Sequence, residues 1–347
     1  MGFGSYRQRI WIEKALHDVL PGRVTSGWVG RVAGPARWKH DLDALTNGLS
    51  RPVWNFLQRG GKRWRPVLML LCCEAVGGNP KAILPFTAIP EVLHNATLII
   101  DDIEDSSELR RGKPALHRIF GVDVAINAGN ALFFLPFSII CNSGLPVEMK
   151  AEAYGIISRQ AIKCHLGQTT DIWWHRGKAG RVPTWQEYFQ MCANKTGSVA
   201  AMAAMLGALI GGGTERQIGA LGRFAETAGV AFQVQDDILN IEGGIGKGFG
   251  DDIKEGKRSL PAIHALNTAH AEEKKRLLEI LDMHTNDEML IREAIAIIRK
   301  NGGVEYAGKA AAGLMEKAWE NVEPVLPESK TKQKLKEFAQ PLVGRSA

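Results

Sequence analysis

Aspartate pairs set into apolar helical sequence constrain this chain more than any other feature. The stretch 94–112, HNATLIIDDIEDSSELRRG, runs largely apolar and then brings Asp101, Asp102 and Asp105 together, followed by Arg110 and Arg111. If the segment is helical, Asp101 and Asp105 lie one turn apart on one face. Carboxylates stacked that way repel each other, so a cation is expected between them. Aspartate oxygens with no His or Cys in the cluster suit a hard ion, Mg²⁺ before Zn²⁺. Mg²⁺ held by one or two carboxylates completes its shell with water and substrate phosphate. Arg110 and Arg111, about two helical turns further on, suit the same phosphates, because the guanidinium fork matches their oxygens. Standing alone, the stretch would read equally well as a solvated acidic turn followed by a basic one.

It does not stand alone. From Phe232 the chain reads FQVQDDILN, so Asp236, Asp237 and Asn240 repeat the spacing of Asp101, Asp102 and Asp105. Both sets follow apolar residues at helical spacing, where unpaired carboxylates are costly. Two acidic helix faces turned into one cavity would make a multi-metal diphosphate site.

The rest of the chain is read as helices. The first fifty residues break near Pro21-Gly22 and Gly34-Pro35, with Trp11, Leu16, Val19 and Leu20 as one apolar face. Gly60-Gly61 allows close backbone approach to an anion, and Lys62 and Arg65 then project from one side of a new helix. Pro90 begins or kinks the helix carrying the first aspartates. Thr184 with Glu187 is a capping box that starts the helix leading to Lys195-Thr196-Gly197-Ser198, which Gly197 bends. Gln168 and Asp171 are polar positions in a helix otherwise suited to burial. Residues 200–213 are rich in Ala and Gly, which allows close helix packing. No strand-like alternation and no repeat of 20–50 residues is found. The expected fold is therefore all-α: a single-domain bundle of long helices around a central cavity. Residues 1–50 form an N-terminal helical extension, 51–265 carry the motifs, and 266–347 form C-terminal helices.

Several function classes are excluded. The spacing in GGKRWRP is not a Walker motif, and GGIGKGFG lacks the dinucleotide-binding frame. Glu91 and His94 spell E-x-x-H, but a di-iron bundle needs that motif twice. Lys and Arg exceed Asp and Glu by 43 − 37 = 6. The cations sit beside the acidic motifs, which argues against a nucleic-acid groove. None of the five cysteines forms C-x-x-C, and no secretory signal is seen, so buried thiols in a reducing cytoplasm are expected. The apolar runs near 67–73 and 131–141 fall short of the ~20 residues that span a bilayer, so no transmembrane segment is expected.

Taken in order, GGKRWRP, DDIED followed by LRRG, KTGS, FQVQDD and GDDIKEGKRSLP resemble the trans-isoprenyl diphosphate synthases over 51–265. The two-residue gap in DDIED and Asn at 240 look most like the geranylgeranyl diphosphate synthase branch. The resemblance implies an isoprenoid synthase-like fold and a Mg²⁺-dependent, head-to-tail condensation of isopentenyl diphosphate with an allylic diphosphate. It assigns metal binding to Asp101, Asp102, Asp105, Asp236 and Asp237. It places the isopentenyl diphosphate on Lys62, Arg65, His94 and Arg111. Arg110, Lys195, Lys247 and Lys257 would meet the allylic diphosphate, and Lys195, Thr196 and Gln233 would lie beside the developing cation. Ala96 and Thr97 are small where short-product members carry aromatics. Phe133 and Phe134 match a bulky floor, so Phe134→Ala is expected to lengthen a twenty-carbon product. A homodimer is implied, and a hydrophobic product gives reason for peripheral membrane contact. A class I terpene cyclase shares the acidic motifs but would not need Lys62, Arg65, His94 and Arg111. A non-catalytic subunit of a heteromeric synthase should have lost an aspartate cluster, and both persist here.

Overall fold

The computed structural model describes residues 5–177, 180–243 and 250–343. Its first eight helices are α1 (Tyr6–Val19), α2 (Ser26–Ala33), α3 (Leu42–Leu45), α4 (Arg51–Leu57), α5 (Trp64–Ala75), α6 (Ala88–Glu104), α7 (Leu116–Phe120) and α8 (Val122–Cys141). Then follow α9 (Val147–His175), α10 (Trp185–Cys192), α11 (Ser198–Ile210), α12 (Glu215–Glu242), α13 (Asp251–Lys254) and α14 (Leu260–Thr268). The last four are α15 (Ala271–Asp282), α16 (Glu288–Lys300), α17 (Gly303–Val322) and α18 (Lys330–Val343). The expected all-α class holds. Strand structure among the described residues is confined to one hairpin, β1 (Leu109–Arg110) and β2 (Lys113–Pro114). Alternation cannot signal strands of two residues, and the hairpin is made by its turn instead. Arg111 and Gly112 both have positive φ, 54° and 73°, as a two-residue type I′ turn requires.

The chain divides into two compact units, Met1–Ala161 with Met202–Ile218, and Ile162–Ala201 with Gly219–Ala347. The first contains α1–α8. α1 opens on a capping box, with Ser5 Oγ accepting from Gln8 N and Gln8 Oε1 accepting from Ser5 N. Its buried stripe is Ile12, Ala15, Leu16 and Leu20. That stripe shares Leu16 and Leu20 with the expected face but is centred one residue past Trp11. Carbonyls at its C-terminal end, which no helical N–H can reach, accept the indole N–H groups of Trp28 and Trp54, each at 2.8 Å. Close helix packing at the Ala- and Gly-rich segment also holds. A Cβ on Gly207 would lie 2.2 Å from Met69 O, and one on Gly211 would lie 3.0 Å from Cys73 O.

α8 is a 20-residue apolar helix whose most apolar 18 residues have mean hydropathy 1.8, which meets the length and composition of a membrane span. It belongs to the helical fold, however. A Cβ on Gly129 would lie 2.8 Å from Ile100 Cδ1, so α8 and α6 touch almost backbone to side chain.

In the second unit, Leu277, Ile280 and Leu281 of α15 pack with Ile291, Ala294, Ile295 and Ile298 of α16 around Ile241 and Ile253. The spacing on each helix is that of a single buried stripe. Glycine again sets the closest approaches. A Cβ on Gly167 would lie 2.2 Å from Lys195 N, and one on Gly229 would lie 2.5 Å from Gly197 Cα.

Candidate active site

In the first unit the site is built on the end of α6. Pro90 lies in its first turn, where a missing N–H costs nothing. The C-terminal end stops at Asp105. Ser106 takes φ 53°, and Ser106 N and Ser107 N return to the carbonyls of Ile103 and Asp102 at 3.2 and 2.9 Å. This is a Schellman ending with serine where glycine is usual. It turns the chain into the β1–β2 hairpin, so the arginines do not continue the helix as expected. Instead the hairpin folds Arg110 back. Arg110 Nε donates to Asp102 Oδ1 at 2.6 Å, and its Nη2 lies 3.4 Å from Asp101 Oδ2. Asp102 is fully buried, while the Asp101 side chain is 17 % exposed. Burial pushes the Asp102 carboxyl upward, against the opposing pull of Arg110.

The glycine loop comes to the other arginine. Gly60 and Gly61 have φ 84° and 145°. A Cβ on Gly61 would lie 3.3 Å from Arg111 Nη2, and Arg111 Nη1 donates to Gly60 O. α5 starts at Trp64, so Lys62 sits before the helix in exposed loop and not on its face with Arg65. Between them Arg63 takes the left-handed conformation, φ 50°. That turns it inward, to Glu91 Oε1 at 2.5 Å and Glu13 Oε1 at 2.9 Å. Arg65 is buried with its guanidinium 4.5 Å from the Trp64 ring centre. His94 is held well below the ordinary histidine value, first by burial and then by Arg65, Arg111, Arg110 and Arg63. It is therefore a neutral imidazole set among cations.

The second unit holds a separate polar array. α10 begins on the expected capping box of Thr184 and Glu187. It continues as a π-helical turn, Ala193–Gly197, a form that recurs at functional sites. Gly167 admits the backbone of that turn against α9. One turn along α9, Asp171 Oδ2 lies 2.6 Å from Lys195 Nζ. Burial alone would raise the Asp171 carboxyl, but Lys195 and Lys257 hold it below its usual value. Lys257 also pairs with Glu255. Thr196 Oγ1 donates to Gln233 Oε1 at 3.0 Å, and Gln233 Nε2 donates to Asp237 Oδ1 at 3.0 Å. Asp237 Oδ2 accepts from Tyr188 OH at 2.6 Å. Asn240 is committed elsewhere, its Oδ1 accepting from Asp252 N at 3.1 Å.

The model of the family described as polyprenyl synthetase matches residues 46–298. The chain belongs to that family. It is a trans-prenyltransferase by that membership, and it is similar throughout to known members. It is 38% identical over 297 residues to the short chain isoprenyl diphosphate synthase of Methanothermobacter thermautotrophicus, covering 84% of this chain and 89% of that one. The crystal structure of geranylgeranyl pyrophosphate synthetase from Pyrococcus horikoshii superposes with TM-score 0.84 at 30% identity, over 98% of this chain and 97% of that one. Geranylgeranyl pyrophosphate synthase from Corynebacterium glutamicum, crystallised with isoprenyl diphosphate and magnesium, superposes with TM-score 0.82 at 25% identity, over 98% of each chain.

For a polyprenyl synthetase the donor set fits Mg²⁺. The half-buried members of the two clusters, Asp101, Asp105 and Asp236, are carboxylates, and Asp102 Oδ2 is buried without a hydrogen-bond partner. Among the described residues no three His, Cys, Asp or Glu side chains are grouped so as to hold a metal ion by themselves. Asp102 and Asp237 are the inward members of their pairs, at 0 and 4 % exposure, and Asp101 and Asp236 the outward ones. Ala96 is buried and Thr97 half-buried on α6. Phe133 is half-buried, but Phe134 is 71% exposed on α8. Phe134 is one residue further round the helix than Phe133 and turns away from it. Lys247 lies outside the described residues. Sequence reasoning missed Tyr188 and the Arg63 pair. The signal for Tyr188 was present, a phenol seven residues before Lys195 on the same helical run.

Proposed function

We propose that this prenyltransferase condenses isopentenyl diphosphate with an allylic diphosphate, head to tail and with Mg²⁺, and releases geranylgeranyl diphosphate. The observation that carries the reading is Arg110 folded back onto the Asp101–Asp102 pair, beside a neutral His94 ringed by Arg65 and Arg111. Carboxylates for a hard cation and guanidinium forks for phosphate stand within one unit.

In the first unit Asp101 and Asp105, supported by Asp102, would hold metal, and in the second unit Asp236, supported by Asp237, would do so. Bound there, Mg²⁺ would supply positive charge to the departing diphosphate. Arg110, Lys195, Lys247 and Lys257 offset the same charge as the allylic C–O bond breaks, which stabilises the transition state electrostatically. Thr196 and Gln233 turn dipoles toward the allylic cation. Lys62, Arg65, His94 and Arg111 hold the isopentenyl diphosphate while its double bond attacks and the new C–C bond forms. As a neutral group His94 bonds phosphate without adding to the repulsion among the arginines. The proton lost in the last step goes to the released diphosphate. The names of the Pyrococcus and Corynebacterium enzymes support the twenty-carbon product, and the ligands of the latter support the metal and the substrate class.

The two units are proposed to act as one domain in the cytoplasm. α8 exposes Val122, Ile126 and Phe134, an apolar face suited to a second copy in a homodimer. The product would draw the enzyme to membrane surfaces without a spanning segment.

The test is direct. Purified protein is incubated with isopentenyl diphosphate and dimethylallyl, geranyl or farnesyl diphosphate, with and without Mg²⁺, and the products are sized. Mg²⁺-dependent formation of a twenty-carbon diphosphate is expected. Cyclised hydrocarbon, or no use of isopentenyl diphosphate, would overturn the proposal.

A further inference from the structure

Four side chains of the second unit form one directional chain of hydrogen bonds. Tyr188 OH donates to Asp237 Oδ2 at 2.6 Å, and Gln233 Nε2 donates to Asp237 Oδ1 at 3.0 Å. Thr196 Oγ1 donates to Gln233 Oε1 at 3.0 Å. Tyr188 is 1 % exposed and Asp237 4 % exposed. A third donor, Leu260 N, lies 3.4 Å from Asp237 Oδ2. Asp237 is thus an acceptor toward every one of these groups.

That polarity propagates. A primary amide has an accepting end and a donating end. Because Asp237 only accepts, Gln233 must turn its Nε2 toward it, which leaves Oε1 facing Thr196. The Thr196 hydroxyl must then spend its single hydrogen on Gln233. What Thr196 presents elsewhere is its lone pairs, the negative end of the hydroxyl dipole. Were the amide flipped, Nε2 would donate to Thr196 and the hydroxyl hydrogen would point outward instead. A cation-stabilising dipole would become a cation-repelling one with no change of residue.

We propose that Tyr188 is a positioning residue: it holds the Asp237 carboxylate where Gln233 Nε2 meets it, and so keeps the dipole that Thr196 presents to the allylic cation in place and in sign. The inference rests on the prenyl-transfer reading given above. Tyr188 suits the task, because its ring is 1 % exposed and its hydroxyl is seated on Asp237 Oδ2 at 2.6 Å. The π-helical turn at Ala193–Gly197 and the Gly167 contact hold Thr196 in place, so the amide orientation is the degree of freedom left to fix.

The test is a double-mutant cycle. Tyr188→Phe removes one oxygen and Thr196→Val removes the hydroxyl without changing the side chain's shape. Tyr188→Phe is expected to lower kcat about tenfold, less than the loss on deleting a direct transition-state donor. KM for both diphosphates should stay within about twofold, because Tyr188 touches neither; a loss of general packing would not follow that split. In the Thr196→Val background, Tyr188→Phe should produce no further fall, since residues acting as one unit are not additive. Independent, multiplying losses, or an unchanged kcat in folded Tyr188→Phe, would overturn the inference. Should Tyr188→Phe fail to fold by circular dichroism, Gln233→Met of similar size enters the same cycle from the middle of the chain. Its loss must likewise shrink once Thr196 is Val, because the part exerted through Thr196 is then gone, and additive losses would again count against the proposal. Wild-type protein that consumes neither diphosphate would remove the prenyl-transfer reading and this inference with it. Active wild type with additive losses would remove the role of Tyr188 alone.

Discussion

The Arg63 guanidinium lies 2.5 Å from the Glu91 carboxylate, and both side chains are 4% exposed. Glu13 of α1 and the Leu57 carbonyl take other edges of the same guanidinium, and Asn95 Nδ2 donates to Glu91 Oε1 at 2.9 Å. This network gives the N-terminal helix a purpose: α1 anchors the residue that turns the glycine loop into α5. Removing one member of a buried, bonded pair leaves the other charge uncompensated. Glu91→Ala is therefore expected to destabilise the protein by about 3–5 kcal/mol. Glu13→Ala, at a position 45% exposed, should cost about 1 kcal/mol or less. Urea unfolding of the two variants measures the difference, and equal losses would refute the assignment.

The fold class and the acidic clusters were legible in the sequence because both depend on local spacing. Asp101 and Asp105 share a helix face wherever α6 goes, and Thr184 with Glu187 caps a helix by themselves. What was not legible depended on chain reversal. Arg110 looked like a residue two turns along a helix, until the left-handed Ser106 and the Arg111-Gly112 turn folded it back onto Asp102. Arg63 stands between Lys62 and Arg65 in GGKRWRP, and a single positive φ sends it into the core. Phe133 and Phe134 are adjacent letters, but on a helix adjacent residues differ by about 100° in direction. Only the surrounding packing decides which one turns inward.

Asp171 gives the fold a defined acid sensitivity. Lys195 and Lys257 hold its carboxyl below the ordinary value against the upward push of burial. A carboxyl depressed in the folded state contributes stability above its unfolded value of about 3.9. That contribution is lost as pH falls through the lower folded value. Thermal melts of wild-type protein should fall in temperature as pH drops below about 4. Asp171→Asn should melt lower at neutral pH and show a flatter acid limb, and a parallel acid limb would show that the pair is not ionised.

The two members of the first aspartate pair should fail differently. Asp101 is partly exposed, whereas Asp102 is buried against Arg110. Asp101→Asn is expected to lower kcat by about 10² or more and to raise the Mg²⁺ concentration for half-maximal activity, with little change in melting temperature. Asp102→Asn should lower the melting temperature as well, because it takes the charged partner from Arg110. Activity against Mg²⁺ concentration and thermal melts of both variants separate the roles. An unchanged melting temperature in Asp102→Asn would contradict the buried pair.

Product length should respond to residues stacked beneath the aspartates. Thr97 precedes Asp101 by four residues, so it lies one turn along the same face of α6, and its side chain is half-buried. Thr97→Phe is expected to shorten the product by filling that space. On α8, Phe133 follows Gly129 by four residues and so shares the face that meets Ile100 of α6. Phe133→Ala is expected to lengthen the product, because it removes the half-buried ring. Phe134 is 71% exposed, and Phe134→Ala should leave the product of a single chain's pocket unchanged. Mass spectrometry of the diphosphates made from isopentenyl and farnesyl diphosphate reads all three variants. Lengthening by Phe134→Ala but not by Phe133→Ala would mean that the product is bounded by a neighbouring copy's α8, not by the enzyme's own.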